Sequence, residues 1–291
     1  MYIHEKRNEM FPFTKLELSP NEYLENLRTK DCVKIKNDQL ILSKNAYRLG
    51  DVLPYLYVEE ALIHSHIFNK STPLENSKKV PKNEVRPREW IWKQGEPSIF
   101  SCFLSKTIYD MFSPESVFDP CSGWGSRGIG ALVSKTVKRY VGVDRNPRLK
   151  SSYERLKEEL DPKDILEYHI CSSLDFETKE RFDLVFTSPP FFDYEIYDED
   201  DKYKDHDDWF DNFYVPLLNK CVELAKKYVI LHVGNTFRSP CLVQLTKKIM
   251  KSLGCVLDRQ LFFSSTRDVP VLIFDVVSTP SPGPRNGKKS E

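Results

Sequence analysis

The chain has 291 residues, a length that fits one large domain with an appendage or at most two domains, and its composition of 40% hydrophobic and 30% charged residues is that of a folded soluble protein. Its 43 Lys and Arg balance 43 Asp and Glu, so the net charge carries no signature of a nucleic-acid or membrane binder. Seven cysteines without a CxxC pair argue against a disulfide framework or a zinc site, and the apolar runs are too short to cross a bilayer. We therefore expect an intracellular protein, in the nucleus or the cytoplasm, without a metal.

The first part of the chain, residues 1–95, has an irregular and polar pattern with short apolar pieces. We interpret it as an accessory region that could contribute to target recognition. Within it, residues 70–93 hold seven Lys and Arg against three Glu. This segment is either a solvated linker or a basic strip that touches phosphates.

Strands and helices alternate in the second part, residues 96–277, which we interpret as the catalytic domain. The predicted strands are Ser116–Asp119, Arg139–Asp144, Ile165–Cys171, Phe182–Thr187, Tyr228–Val233, Cys255–Phe263 and Val269–Val277. The predicted helices are Ile99–Met111, Arg127–Ser134, Pro147–Leu160, Asp207–Lys226 and Leu242–Leu253. Residues 278–291 have the composition of a disordered tail.

This alternation predicts an α/β fold with an open, mostly parallel sheet of seven strands. Five strands are joined by helical crossovers, and the last two form an antiparallel closing hairpin. In such sheets ligands bind at the carboxyl ends of the strands, near the point where the strand order reverses. Each motif described below lies at one of those ends.

A glycine-rich turn, DPCSGWGS, starts at Asp119 and connects the first strand to its helix. Gly123 and Gly125 allow a tight turn and close approach of the backbone to a ligand, and the helix start offers free N–H donors. The segment lacks the GK[ST] ending of nucleoside triphosphatases. However, Gly128 completes a GxGxxG spacing, so a dinucleotide site remains open on spacing alone.

Two more strand ends carry groups that suit a nucleoside. Asp144 ends the second strand, where an acid can accept hydrogen bonds from ribose hydroxyls. After the third strand, Ser173 and Asp175 lie where an Asp can reach an adenine amino group. A chance acid at a strand end and a turn-forming Asp are the alternatives at these positions.

The fourth strand runs into TSPPF, residues 187–191, which weighs against the dinucleotide interpretation. With the DPCxGxG loop before it, this segment resembles the [DNS]PP[YFW] signature of the S-adenosylmethionine-dependent amino-methyltransferases. The resemblance extends over roughly residues 97–277, and the serine in first position looks most like the N4-cytosine branch of DNA methyltransferases. It implies a class I (Rossmann-like) methyltransferase fold.

The resemblance also implies roles for individual residues. Ser188 and the carbonyl of Pro189 would accept hydrogen bonds from the target amine, Pro190 would stiffen the turn, and Phe191 would stack on the base. The donor, S-adenosylmethionine, would be bound by residues from the first three strand ends. These candidates are Asp119, Cys121, Gly123, Gly125, Asp144, Ser173 and Asp175.

The expected partner is nucleic acid, with DNA favoured over RNA, and no membrane. N6 of adenine in DNA or RNA is the second choice of target, and a glutamine side chain in a protein or a non-catalytic subunit are further alternatives. Target recognition would come from residues 1–95, from the loop after Phe192, or from a second subunit such as a homodimer partner. Residues 193–211 carry a charge of −8 and would repel phosphates, which suggests a lid that faces away or a dock for a basic partner.

Overall fold

One sheet with helices on both faces forms the core of the molecule. The computed structural model describes residues 19–30, 33–42, 100–192, 203–236, 239–263 and 266–277. The strands are β1 Val33–Lys36, β2 Gln39–Leu42, β3 Ser116–Asp119, β4 Arg139–Asp144, β5 Leu166–Ile170, β6 Phe182–Thr187, β7 Ala225–His232, β8 Cys255–Phe263 and β9 Thr266–Val276. The predicted linker, the predicted tail and residues 193–202 of the acidic segment lie outside the described residues.

The helices fill the connections between the strands. They are α1 Pro20–Thr29, α2 Cys102–Phe112, α3 Ser126–Val133, α4 Lys150–Leu160, α5 His206–Trp209, α6 Val215–Leu224 and α7 Leu242–Ser252. A 3-10 turn at Pro147–Leu149 precedes α4, and a π-helical turn at Phe210–Tyr214 joins α5 to α6. The single predicted helix Asp207–Lys226 is therefore divided into three pieces and ends two residues earlier.

The strand order is β1-β2-β8-β9-β7-β6-β3-β4-β5. Strands β3 to β7 run parallel to their neighbours among themselves, and β9 is antiparallel to both β7 and β8. The seven strands from β5 to β8 have the arrangement of the class I methyltransferase fold, with β8 and β9 as the predicted antiparallel hairpin. The strand order reverses at β3, which has β4 on one side and β6 on the other.

The described sheet has nine strands instead of the predicted seven, because a hairpin near the start of the chain adds to the edge of β8. Strands β1 and β2 pair antiparallel around Asn37 and Asp38, whose φ values of 51° and 60° suit a tight hairpin turn. Gln39 then pairs with Phe262 in parallel. The sequence analysis gives residues 33–42 an irregular pattern. That prediction is wrong, because these residues form a hairpin of the sheet.

Helix α1, which the sequence analysis does not predict, precedes this hairpin. Ser19 and Glu22 form a reciprocal capping box at its start, and Pro20 occupies its first turn. Tyr23, Leu24 and Leu27 are buried in the core together with residues of α2, α3 and α4. The described part of residues 1–95 thus shares one core with the α/β fold of residues 100–277.

The sheet separates two clusters of buried side chains. One lies between the sheet and α1 to α4, and the other between the sheet and α5 to α7. Helix α3 approaches the sheet closely because Gly128 and Gly142 leave room for the Tyr168 ring. A Cβ on Gly128 would lie 2.1 Å from the Tyr168 hydroxyl oxygen, and one on Gly142 would lie 2.8 Å from its ring carbons.

We expect Gly128→Ala to lower the free energy of unfolding by about 1–3 kcal/mol, the usual cost of overpacking a core. In a Tyr168→Phe background the same substitution should cost clearly less, because the hydroxyl oxygen is the atom in the way. Tyr168→Phe alone should be nearly neutral, since that hydroxyl has no hydrogen-bond partner among the described residues. Urea unfolding of the four proteins measures this, and an equal cost in both backgrounds would show that the clash is elsewhere.

Candidate active site

A buried ion pair holds the loop after β3 from beneath. Asp119 is fully buried, and its Oδ2 accepts hydrogen bonds from Arg127 Nε and from the Tyr140 hydroxyl, each at 2.6 Å. Arg127 Nη2 also donates to Asp119 Oδ1, at 3.2 Å, and to the Cys121 carbonyl. Asp119 therefore supports the loop, and its predicted part in binding the donor stays a prediction.

The loop itself turns on two glycines with positive φ, 54° at Gly123 and 76° at Gly125. On the side of the loop that faces α4, the Tyr153 hydroxyl donates to the Gly123 carbonyl and lies 2.9 Å from Ser122 Oγ. The Tyr153 ring stacks on Tyr168 with 3.9 Å between centroids. On its other side Gly123 is open with respect to the described residues, because among them an added Cβ would meet only the Cys121 carbonyl, at 4.0 Å.

Asp144 ends β4 beside this loop and is partly exposed. Its Oδ2 accepts the Gly123 N–H at 2.8 Å and its Oδ1 accepts the Asn146 N–H at 3.0 Å. Loss of hydration raises the pKa of Asp144 to about 6, although these two hydrogen bonds act in the opposite direction. A carboxylate offers about four acceptor positions, so two remain for a ligand.

The end of β5 lies next to that of β4, since the Cys171 N–H donates to the Asp144 carbonyl at 3.0 Å. The turn that follows is closed by Ser172, whose Oγ accepts the Leu174 N–H at 3.2 Å. Ser173 is buried and the Asp175 side chain is exposed. Of the two predicted residues after β5, Asp175 is the one whose side chain is accessible.

The predicted signature occupies the end of β6, on the other side of the strand-order reversal. Pairing of Thr187 with Leu231 places Ser188 beside His232, the last residue of β7. Ser188 Oγ lies 3.0 Å from His232 Nδ1 and 3.2 Å from the His232 carbonyl oxygen.

The rest of the signature is more enclosed. Pro189 is buried, whereas Pro190 and Phe191 are partly exposed. Phe191 and Phe192 pack against the cluster on the α5–α7 face of the sheet. The structure thus brings the signature and the glycine loop to one edge of the sheet, where Phe191 is a partly exposed residue.

Three site residues are missed by the sequence analysis: Phe100, Arg127 and His232. The Arg127 guanidinium lies 5.4 Å from the Phe100 ring centroid, and the Phe100 ring is edge-on to His232 at 5.2 Å. The signal for His232 is a polar residue inside the apolar run YVILHV, residues 228–233. It becomes visible only once β7 is known to lie beside β6.

Within the described part of the chain, no cluster of three or more His, Cys, Asp or Glu is placed to hold a metal ion. No helix in the described ranges is long and apolar enough to cross a membrane.

No protein-family model matches the chain, and no curated protein matches it. Among solved structures it is similar to magnesium protoporphyrin IX methyltransferase from Synechocystis PCC 6803, with 11% identity over 63% of this chain and 88% of the other, at a TM-score of 0.44. It is also similar to the methyltransferase domain of bacterial CtHen1, with 15% identity over 60% of this chain and 96% of the other, at a TM-score of 0.44. For the N-methyltransferase NodS from Bradyrhizobium japonicum, the identity is 13% over 58% of this chain and 93% of the other, at a TM-score of 0.40. We therefore interpret the site from its own geometry.

The buried ion pair generates a stability prediction. We expect Arg127→Met to lower the free energy of unfolding by about 3–5 kcal/mol, because it leaves the Asp119 carboxylate buried without its partner. The double variant Asp119→Asn/Arg127→Met should lose less than Arg127→Met alone, since both charges are removed. Chemical denaturation measures both differences.

Lys138→Met is the matched control, because it breaks an ion pair with Glu115 that is largely exposed. That change should cost less than about 1 kcal/mol. If Arg127→Met were no more destabilising than Lys138→Met, the ion pair would not be what holds the loop.

Proposed function

We propose that this chain is an S-adenosylmethionine-dependent methyltransferase that acts on an exocyclic amine of a nucleic-acid base, with N4 of cytosine in DNA as the first choice. One observation carries the proposal. The glycine turn follows β3, Asp144 ends the neighbouring strand β4, and Ser188 follows β6 on the other side of β3. All three therefore lie at carboxyl ends of strands, at the point where the strand order reverses. Open α/β sheets bind their ligands at this position.

The donor half of the site fits S-adenosylmethionine. The open side of Gly123 allows a ligand to approach the backbone, and the two remaining acceptor positions of Asp144 suit a pair of ribose hydroxyls. The exposed Asp175 carboxylate after β5 suits an adenine amino group. When bound, S-adenosylmethionine supplies an electrophilic methyl group on a sulfonium sulfur.

The acceptor half suits a weakly nucleophilic aromatic amine, whose lone pair is delocalised into its ring. Hydrogen bonds from the amine to Ser188 Oγ and the Pro189 carbonyl would localise that lone pair and direct it toward the methyl group. The two prolines keep the carbonyl in place. The amine nitrogen then forms its bond to the methyl carbon as the carbon–sulfur bond breaks, and it releases one proton to water, so no strong base is needed.

Three features support a base as the substrate. The first is the serine-first TSPPF segment. The second is Phe191, a partly exposed aromatic residue directly after the two prolines; stacking of a base on an aromatic side chain is worth about 1–3 kcal/mol. The third is charge, since the chain outside residues 193–211 carries +8. N6 of adenine in DNA or RNA is the alternative that keeps this mechanism, and a glutamine amide in a protein would use the same acceptors.

Donor binding should weaken as the pH falls through the pKa of Asp144, which is about 6, because the protonated carboxyl loses acceptor capacity. At pH 5 we expect binding about tenfold weaker than at pH 8, as measured by calorimetry with S-adenosylmethionine. Asp144→Asn should bind weakly at both pH values. A fall of the same size in Asp144→Asn would show that another group is responsible.

Ser188→Ala should keep the donor affinity within about twofold and lower kcat by at least about tenfold, because it removes an acceptor used in the methyl-transfer step. The exposed Ser252 at the end of α7 provides the control, and Ser252→Ala should have no effect.

The product is identified by mass spectrometry of nucleosides after incubation with S-adenosylmethionine and separate DNA and RNA pools.

N4-methylcytosine in DNA is the expected product. N6-methyladenine would overturn the choice of base and leave the chemistry unchanged. Donor binding without any methylated nucleoside would overturn the assignment of nucleic acid as the substrate.

A further inference from the structure

The Ser188 hydroxyl is held on two sides by one residue. Its Oγ lies within hydrogen-bond distance of both the Nδ1 atom and the carbonyl oxygen of His232. A hydroxyl has one hydrogen to donate, and a carbonyl oxygen can only accept. If both contacts are hydrogen bonds, Ser188 donates to the carbonyl and the His232 Nδ1–H donates to Oγ.

The surroundings of His232 keep its ring neutral and limit its rotation, so the ring carries one hydrogen and the two contacts of Ser188 assign that hydrogen to Nδ1. Loss of hydration, together with the charge of Arg127, lowers the pKa of His232 to about 3. The Phe100 ring contacts the imidazole edge-on and is itself edge-on to Phe186, at 5.5 Å, which restricts rotation of the imidazole. The orientation of the ring is therefore set by packing and not by Ser188 alone.

This arrangement matters for the substrate that Ser188 can accept. With its hydrogen committed to the carbonyl and one lone pair committed to Nδ1–H, Oγ has a single acceptor position left. A freely rotating hydroxyl could instead donate to the amine lone pair, which is the electron pair that must attack the methyl group. Such a donor would oppose methyl transfer.

We propose that His232 is a positioning residue that makes Ser188 an acceptor only, so that the site selects groups presenting an N–H and disfavours groups presenting a lone pair. This inference rests on the proposed function, because it concerns the amine that Ser188 would meet. It extends that function by assigning the substrate preference to a residue of the neighbouring strand.

The hydrogen-bond arrangement can be tested without any activity. In protein labelled with ¹⁵N-histidine, NMR distinguishes a protonated Nδ1 from a protonated Nε2, and the His232 signals are identified by their loss in His232→Asn. We expect the Nδ1–H form at neutral pH. The Nε2–H form would mean that Ser188 donates to His232, which overturns the proposal whatever the enzyme does.

Kinetics then test the consequence. His232→Leu should keep the donor affinity and lower kcat by at least about tenfold, whereas His232→Asn, which can place an amide N–H near the position of Nδ1–H, should recover most of the loss. In a Ser188→Ala background, His232→Leu should cause no further fall in kcat, because its effect passes through Ser188.

Equal kcat losses for His232→Leu in both backgrounds, or no recovery with His232→Asn, would overturn the positioning role. If His232→Leu failed to fold, as judged by lost donor binding, His232→Asn and the NMR measurement would still decide the question. If the wild-type chain transferred no methyl group to any amine, the proposed function would fail, while the NMR result would still establish or refute the hydrogen-bond arrangement.

Discussion

The candidate site depends on one buried pair of opposite charges, Asp119 and Arg127. Asp119 ends β3 and Arg127 lies in the first turn of α3, so the ion pair fixes the helix relative to the first strand of the parallel part of the sheet. The same guanidinium donates a hydrogen bond to the Cys121 carbonyl within the loop and lies against the Phe100 ring. Because an unpaired charge in such a position is costly, the loop has one favourable arrangement.

The Arg127 charge also links the two halves of the site. On one side it compensates Asp119 under the loop after β3, and on the other it helps to keep His232 neutral beside Ser188. Phe100 lies between Arg127 and His232 and contacts both. Asp119 and Ser188 are therefore connected by a chain of contacts that runs through Arg127, Phe100 and His232.

Much of the fold can be predicted from the sequence because short apolar runs bounded by turn residues mark the strands. The limits of β3, β4, β6 and β8 agree with those predicted. Strand β7 begins at Ala225, three residues before the predicted Tyr228. Because Ala225 pairs with Phe182 of β6, Lys226 and Lys227 are also part of the strand. The hairpin β1–β2 is not predicted because its partner, β8, lies at the far end of the sequence.

The candidate site is predictable only in part, for a related reason. Glycines, a strand-end acid and an SPPF turn are local signals, so Gly123, Asp144 and Ser188 can be found from the sequence. Whether an acid faces a ligand or an arginine depends on a partner eight residues away on a helix, as Asp119 shows. The role of His232 depends on which strands are neighbours, and the alternation of strands and helices does not reveal that order.

The parallel pairing of Gln39 with Phe262 has a consequence for how the chain assembles during synthesis. The hairpin β1–β2 leaves the ribosome before any other strand of the sheet, yet the strand it pairs with is among the last to appear. Until β8 is made, Leu40, which is fully buried in the finished structure, has no sheet to cover it. Closure of this edge therefore waits until β8 has been made, and a ribosome stalled before β8 would leave an incomplete edge open to pairing with other proteins.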